Sequence, residues 1–112
     1  MNWKHLNSKD DLDEAITSSS NSLVILFKHS TRCSISRMAE KMLAMGWDES
    51  LDTVEAYHLD LLSHRDVSAA IAEKLNIPHQ SPQLLVLQNG AVLEVANHSD
   101  ISAEVVKKHI NL

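Results

Sequence analysis

The sequence has one cysteine, two glycines and two prolines in 112 residues, and each of these low counts excludes a class of protein. One cysteine cannot form an internal disulfide, which excludes a small secreted domain held together by disulfide bonds. So few glycines and prolines leave no flexible or proline-rich linker, and no internal repeat is present. With 44% hydrophobic residues, the chain is expected to form a single domain over residues 1–112.

Long apolar runs are also lacking, because the longest one covers only residues 23–27. A membrane-spanning helix needs about 20 apolar residues, and residues 1–9 have no apolar stretch of the kind found in an export signal. We therefore expect neither a membrane anchor nor export. Because a free thiol is unusual in a secreted domain, the sequence indicates a protein of the reducing cytoplasm.

The formal net charge of -5 argues against nucleic acid as the main partner, since binding to phosphate groups requires a basic surface. The charge is unevenly distributed along the chain, however. Residues 28–41 contain four basic side chains and one acidic side chain, namely Lys28, Arg32, Arg37, Lys41 and Glu40. The sequence therefore predicts a basic surface around Cys33.

Hydrophobic periodicity predicts alternating helices and strands followed by an antiparallel hairpin. In chain order, the pattern predicts a helix capped by Ser8, a buried strand at 23–27, a helix from Ser34 to Gly46, a strand at 53–59, a helix capped by Ser63, strands at 84–87 and 91–95 joined by Asn89-Gly90, and a last helix from Ser99 or Asp100. A mixed sheet with helices on both faces accommodates this order.

Cys33 lies at the junction between the first predicted strand and the helix that begins at Ser34. In that helix, apolar side chains recur at helical spacing, at Ile35, Met38, Ala39, Met42 and Met45. This spacing predicts that the methionines face the core, with an exposed docking stripe as the alternative. Gly46 stands where a helix often ends in a left-handed residue.

A lone cysteine is either a small buried hydrophobe or a nucleophile, and the polar residues around Cys33 favour the nucleophile. At a helix start, the free N–H groups of Ile35 and Ser36 stabilise a thiolate, and Arg32 and Arg37 add positive charge. Ser36 lies one helical turn after Cys33. Its hydroxyl either donates to the sulfur or belongs to an ordinary first-turn residue.

Two motifs make the chain resemble the thioredoxin-like superfamily. The segment HSTRCSIS at residues 29–36 resembles its redox loop, with Ser36 in place of the second, resolving cysteine. The segment IPHQSPQLLVLQNG at residues 77–90 resembles the part that places a cis-proline beside the cysteine, and Pro82 is the matching position. The resemblance implies an α/β thioredoxin-like fold, with a central mixed sheet of about four strands flanked by helices on both faces.

The loop resembles one branch of that superfamily most closely, the monothiol bacilliredoxins of the YtxJ type. Ser34 departs from the proline that often follows the cysteine in that branch. The resemblance implies a thiol-disulfide oxidoreductase that removes bacillithiol from S-bacillithiolated proteins through a mixed disulfide on Cys33. It also implies that Pro82 and the backbone of Ser81 bind an extended segment of the substrate.

The expected partners are therefore S-bacillithiolated client proteins and bacillithiol as co-substrate, with no bound cofactor. The seven histidines form no recognised ligand spacing with Cys33, so no metal is expected there. Two other functions stay open at this point. One is a binding adaptor whose thiol is silent, and the other is an iron-sulfur carrier, although the CSIS loop does not match the CGFS loop of such carriers.

Overall fold

The computed structural model describes residues 1–110, which form one five-stranded sheet with helices on both faces. The strands are β1 (Trp3–His5), β2 (Val24–His29), β3 (Glu55–Asp60), β4 (Gln83–Gln88) and β5 (Ala91–Asn97). The helices are α1 (Lys9–Ser18), α2 (Ser34–Gly46), α3 (Arg65–Leu75) and α4 (Ala103–Lys107), with short 3-10 helices at Glu49–Leu51 and His98–Asp100. The strand order is β1-β3-β2-β4-β5.

Strand β2 is the centre of the sheet, parallel to β3 on one side and antiparallel to β4 on the other. All six of its residues are buried, which explains why the run is continuously apolar up to Phe27. Alternate side chains enter two separate cores. Ile25 and Phe27 pack on the side of α2 and α4, which we call the α2 face, and Val24 and Leu26 pack on the side of α1 and α3, which we call the α3 face.

The predicted α/β layout of the thioredoxin type is confirmed, with one strand more than expected. The additional strand is β1, which lies at the sheet edge and pairs in parallel with β3. It has only three residues, and two of them, Lys4 and His5, are exposed. A strand this short shows no alternating hydrophobic pattern in the sequence. It forms because it pairs with β3.

The helix starts agree with the sequence only in part. Ser8 caps α1, since its hydroxyl accepts a hydrogen bond from the N–H of Asp11 at 3.2 Å. Ser63 does not cap α3, because its hydroxyl donates to Asp60 at 3.1 Å and His64 holds the cap position. The last helix begins later than predicted, at Ala103, after the 3-10 turn of His98–Asp100.

The prediction that the α2 methionines face the core is wrong. Met38, Met42 and Met45 are 57%, 44% and 71% exposed, and Ile35 beside them is 52% exposed. The buried face of α2 consists of Ser36, Ala39 and Leu43. Two of these side chains are small, so the helix packs closely on the sheet along a stripe that looks only weakly apolar in sequence.

Glycine is needed at position 46 for close packing and not for a left-handed conformation. It is the last residue of α2, and among the glycines only Gly90 has a positive φ. A Cβ atom on Gly46 would lie 2.8 Å from the Cβ of Ala103, so the glycine allows α2 and α4 to approach. The predicted Asn89-Gly90 turn is confirmed, with φ angles of 54° and 75° at these two residues.

Across residues 1–110, the helices are too short or too polar for any of them to span a membrane.

Candidate functional site

The thiol of Cys33 lies where the chain leaves the central strand and enters α2. Strand β2 ends at His29, and Cys33 is the residue immediately before the first helical residue, with φ -106° and ψ 121°. Its N–H donates to the carbonyl of Ser30, and its own carbonyl accepts from the N–H of Arg37, both at 3.1 Å. The backbone of Cys33 is therefore fixed on both sides, while the residue stays partly exposed as a free thiol.

The hydroxyl of Ser36 fixes the loop before Cys33. Ser36 is fully buried, accepts a hydrogen bond from the N–H of Ser30 at 2.9 Å and lies 2.7 Å from Nδ1 of His29. The hydrogen bonds found within residues 1–110 do not pair it with the sulfur of Cys33. Of the two roles that the sequence left open for Ser36, the structure of residues 1–110 therefore does not show the bond to the sulfur, and the hydroxyl instead supports the loop backbone.

The basic surface around Cys33 is smaller than predicted. Arg32, Arg37 and Lys41 are exposed, and Nη1 of Arg37 donates to the carbonyl of Thr31 at 3.1 Å. Lys28, in contrast, is fully buried on the α3 face, with its Nζ 3.1 Å from Nδ1 of His79. The prediction that Lys28 belongs to this basic surface is wrong. Neighbouring residues of a strand point to opposite faces of the sheet, and the side chain of Lys28 points into the α3 face.

Burial dominates the electrostatics of Lys28 and His79. It lowers the pKa of Lys28 to about 8, since a charged amine in the protein interior has lost its hydration. Burial also lowers the pKa of His79, and the positive charge of Lys28 lowers it further. Near neutral pH, the charged amine therefore faces a neutral imidazole that accepts its hydrogen bond.

The predicted cis bond at Ser81-Pro82 is confirmed. Gln83, the next residue, pairs with Lys28 at the carboxyl end of β2, so Pro82 lies at the same end of the sheet as the Cys33 loop. Pro82 is buried, and its carbonyl accepts from the N–H of His98 at 3.0 Å. The proposed pairing of the Ser81 backbone with a substrate stays a prediction.

A groove of about 530 Å³ begins at the first turn of α2, directly after Cys33. One wall is α2, with Ser34 and Ile35 directly after Cys33, and the other is formed by His98 and Ser99, which the Pro82 hydrogen bond holds in place. The remaining lining residues are Met38, Ala39, Met42 and Ile101. Met38 and Met42, which the sequence assigned to the core, therefore line an open, mainly apolar groove whose first residues directly follow Cys33.

A larger cavity of about 900 Å³ lies elsewhere, between α3 and residues 76–79. Its lining includes Arg65, Ser68 and His79 but neither Cys33 nor the first turn of α2. We place the functional site at the smaller groove, because its lining includes Ser34 and Ile35, the two residues that directly follow the nucleophile Cys33.

A cluster of His29, Glu40 and His58 lies on the α2 face, and the sequence analysis missed it. Nε2 of His58 is 2.9 Å from Oε1 of Glu40, and the rings of His29 and His58 have centroids 5.2 Å apart. Burial lowers the pKa of His58, against the opposing effect of Glu40. The three residues come from β2, α2 and β3, so no local spacing could reveal them.

Known proteins share both the sequence pattern and the fold. The family model described as "Monothiol bacilliredoxin BrxC" matches residues 4–106. A solved structure described as a proposed oxidoreductase with a thioredoxin fold is 30% identical with a TM-score of 0.79, and the match covers 93% of this chain and 89% of that chain.

Thioredoxins with lower identity have the same fold. That of Malassezia sympodialis is 16% identical with a TM-score of 0.72, over 97% of this chain and 88% of that one. Oxidised thioredoxin from Plasmodium falciparum is 20% identical with a TM-score of 0.69, over 97% and 95%. Together with the free thiol of Cys33 at a helix start, the family match supports a thiol redox role.

Proposed function

The chain belongs to the monothiol bacilliredoxin family, and from this premise we propose that it removes bacillithiol from S-bacillithiolated proteins in the cytoplasm. The observation that carries the proposal is the position of Cys33, a partly exposed thiol at the start of α2, directly before the residues that line an apolar groove. No other cysteine is present to resolve a disulfide within the chain.

The first step is attack by the Cys33 thiolate on the bacillithiol sulfur of the client's mixed disulfide. The bond between the client and bacillithiol breaks, a new bond joins Cys33 to bacillithiol, and the client sulfur leaves as a thiolate that takes a proton from water. A second bacillithiol then attacks the adduct. Bacillithiol disulfide leaves, and the Cys33 thiolate is restored, so the net reaction oxidises the thiol of the second bacillithiol and reduces the client sulfur.

The start of α2 suits both steps. The first N–H groups of an α-helix have no partner inside the helix, and the helix dipole favours negative charge at that end. We propose that the sulfur of Cys33 uses this end of α2 in both steps, as the attacking group in the first and as the leaving group in the second.

The groove supports the choice of a protein client. Exposed apolar side chains at Ile35, Met38 and Met42 line the groove that begins directly after Cys33, and methionine adapts its shape to different partners. Pro82 offers no N–H group, whereas Ser81 before it has a backbone available for an extended segment, as in added-strand recognition. Arg32 and Arg37 lie on the exposed side of the loop, where they can pair with the carboxylates of bacillithiol.

Arg37 keeps donors for this purpose. A guanidinium has five N–H donors, and the bond to the carbonyl of Thr31 uses one of them. Exposed ion pairs are worth about 0.2–1 kcal/mol each, so several contacts give a preference for bacillithiol over glutathione of about ten-fold.

The experiment compares release of bacillithiol and of glutathione from the same model client. We expect faster release of bacillithiol, with a ratio that falls as salt rises and falls again in Arg37→Ala. Lys9→Ala is the matched control, because Lys9 is exposed at the start of α1, outside the basic segment 28–41, and its removal should leave the ratio unchanged. Equal rates for the two adducts, or a ratio that responds to neither salt nor Arg37, would contradict the assignment of bacillithiol.

A further inference from the structure

The cluster of His29, Glu40 and His58 has the composition of a metal site. Each residue offers one ligand atom, and these atoms all lie within 4.8 Å of one another. Ligands at 2.0–2.2 Å from a tetrahedral zinc ion are about 3.4 Å apart. Side-chain rotations that move the ligand atoms by about 1 Å would therefore bring all three within bonding distance of one ion. Nε2 of His58 and Oε1 of Glu40 are already nearer than this, at 2.9 Å.

The surroundings of His29 favour one particular nitrogen as a ligand. Its Nδ1 is 2.7 Å from the hydroxyl of Ser36, which leaves Nε2 for an ion. Histidine ligands usually donate their other N–H group to an oxygen, which fixes the ring. Ser36 can accept that hydrogen bond here, and it also accepts the N–H of Ser30.

The cluster is also sheltered while remaining within reach of solvent. His29 is 5% exposed, and the side chains of His58 and Glu40 are 12% and 37% exposed. The rings of Trp3 and Phe27 lie 5.3 and 5.8 Å from that of His58, which keeps part of the cluster dry. Two imidazoles and one carboxylate on rigid elements, with an open side at Glu40, match the donor set of three-ligand zinc sites.

We propose that His29, Glu40 and His58 form a Zn²⁺ site with three protein ligands and one open position. The site joins β2, α2 and β3 and does not include Cys33. It is independent of the proposed thiol exchange, because none of its ligands takes part in that reaction. An ion bound to His29 would fix the orientation of its ring. Because this ring contacts Ser36, which holds the loop before Cys33, the ion would also help to fix that loop.

The test is metal binding to the Cys33→Ser protein, which removes the thiol as a competing ligand. Isothermal titration with Zn²⁺ should give one equivalent per chain, and Co²⁺ should give the visible absorption bands of tetrahedral coordination. With Zn²⁺ about a hundred-fold above its Kd, Tm should rise by about 10 °C, since binding to the folded state stabilises it.

Glu40→Gln and His58→Gln should each weaken Zn²⁺ binding at least ten-fold. Glu73→Gln and His64→Gln are the matched controls, because both lie on α3 or at its start, away from the cluster, and both should bind as before. Circular dichroism of each variant separates loss of binding from loss of folding. Failure of the Cys33→Ser protein to bind one equivalent, or undiminished binding in Glu40→Gln and His58→Gln, would overturn the proposal.

Discussion

Lys28 and His29 are neighbours in sequence and are both buried, yet their side chains lie on opposite faces of the sheet and have different roles. On the α2 face, His29 contacts Ser36 and the Glu40–His58 pair beneath the redox loop. On the α3 face, Lys28 reaches His79. The α2 face therefore carries the chemistry, whereas the buried charge on the α3 face acts on stability.

The difference between His29 and Lys28 comes from the groups that each side chain contacts. His29 contacts a hydroxyl, and the hydroxyl also satisfies a backbone N–H group, so the polar atoms of the loop are paired. In the described part of the chain, the ammonium of Lys28 has only an uncharged imidazole, at 3.1 Å. Gln83, which pairs with Lys28 in the sheet, is also buried, and its Oε1 has no partner within residues 1–110. A buried charge without a counter-ion is costly, which is why the pKa of Lys28 falls to about 8.

The largest expected effect is on the α2 face, at the nucleophile. Cys33→Ser should abolish disulfide exchange, with a loss on the order of a thousand-fold or more, because a hydroxyl is not ionised at neutral pH. Release of client thiol, followed by chromatography, measures this. Lys28→Met should keep most of the wild-type rate, and a comparable loss in both variants would remove the contrast between the two faces.

The second prediction concerns the α3 face. Lys28→Met should stabilise the protein at pH 7 by about 3 kcal/mol, because it removes a buried charge whose pKa is lowered from its ordinary value of 10.5 to about 8. Urea denaturation measures the free energy of unfolding. The variant's stability at pH 7 should exceed that of Lys74→Met, a matched change at an exposed lysine on α3.

The same lysine predicts a pH dependence. Above pH 8 the folded protein releases the Lys28 proton, while the unfolded chain holds it until its ordinary pKa near 10.5. The unfolded state then binds more protons, so stability should rise with pH between 8 and 9.5. In Lys28→Met this rise should be absent. A wild-type stability that falls over this range would contradict the burial of a charged lysine.

The third prediction tests the close packing of α2 on the α2 face. Gly46→Ala should destabilise the protein by about 1–2 kcal/mol, because the new methyl meets the Cβ of Ala103 at 2.8 Å. Ala103→Gly in the same chain should recover part of the loss. A double-mutant cycle in urea should therefore give a coupling energy of about 1 kcal/mol, and additive effects would show that the two residues do not touch.

The smallest effect is expected on the exposed side of α2. Met38→Gln with Met42→Gln should raise the KM for a protein client a few-fold with little change in kcat, because these side chains line the groove without contacting the reacting sulfurs. Met45→Gln is the control, since Met45 is more exposed and lies outside the groove. Equal effects at all three positions would make the groove irrelevant to docking.

Local patterns were enough to predict much of this molecule. The change from a continuous apolar run to helical spacing placed Cys33 at a strand-to-helix junction, and Asn89-Gly90 located the hairpin. The cis bond at Pro82 followed from resemblance to a family and not from the local pattern.

What the sequence could not predict depends on contacts between distant elements. Periodicity finds the apolar side of α2, but it cannot tell a docking face from a core face when Ser36 and Ala39 form the buried one. The β1 strand exists because β3 is beside it. The contacts of Lys28 and Glu40 depend on residues 51 and 18 positions away.

The most direct test of the central claim is the intact mass of the protein after a single turnover. Wild-type protein is mixed with a bacillithiolated client in the absence of free bacillithiol. We expect one bacillithiol adduct on Cys33 for each client thiol released. Added bacillithiol should then restore the unmodified mass. Client release that leaves Cys33 unmodified, or a stable disulfide between Cys33 and the client, would contradict attack on the bacillithiol sulfur.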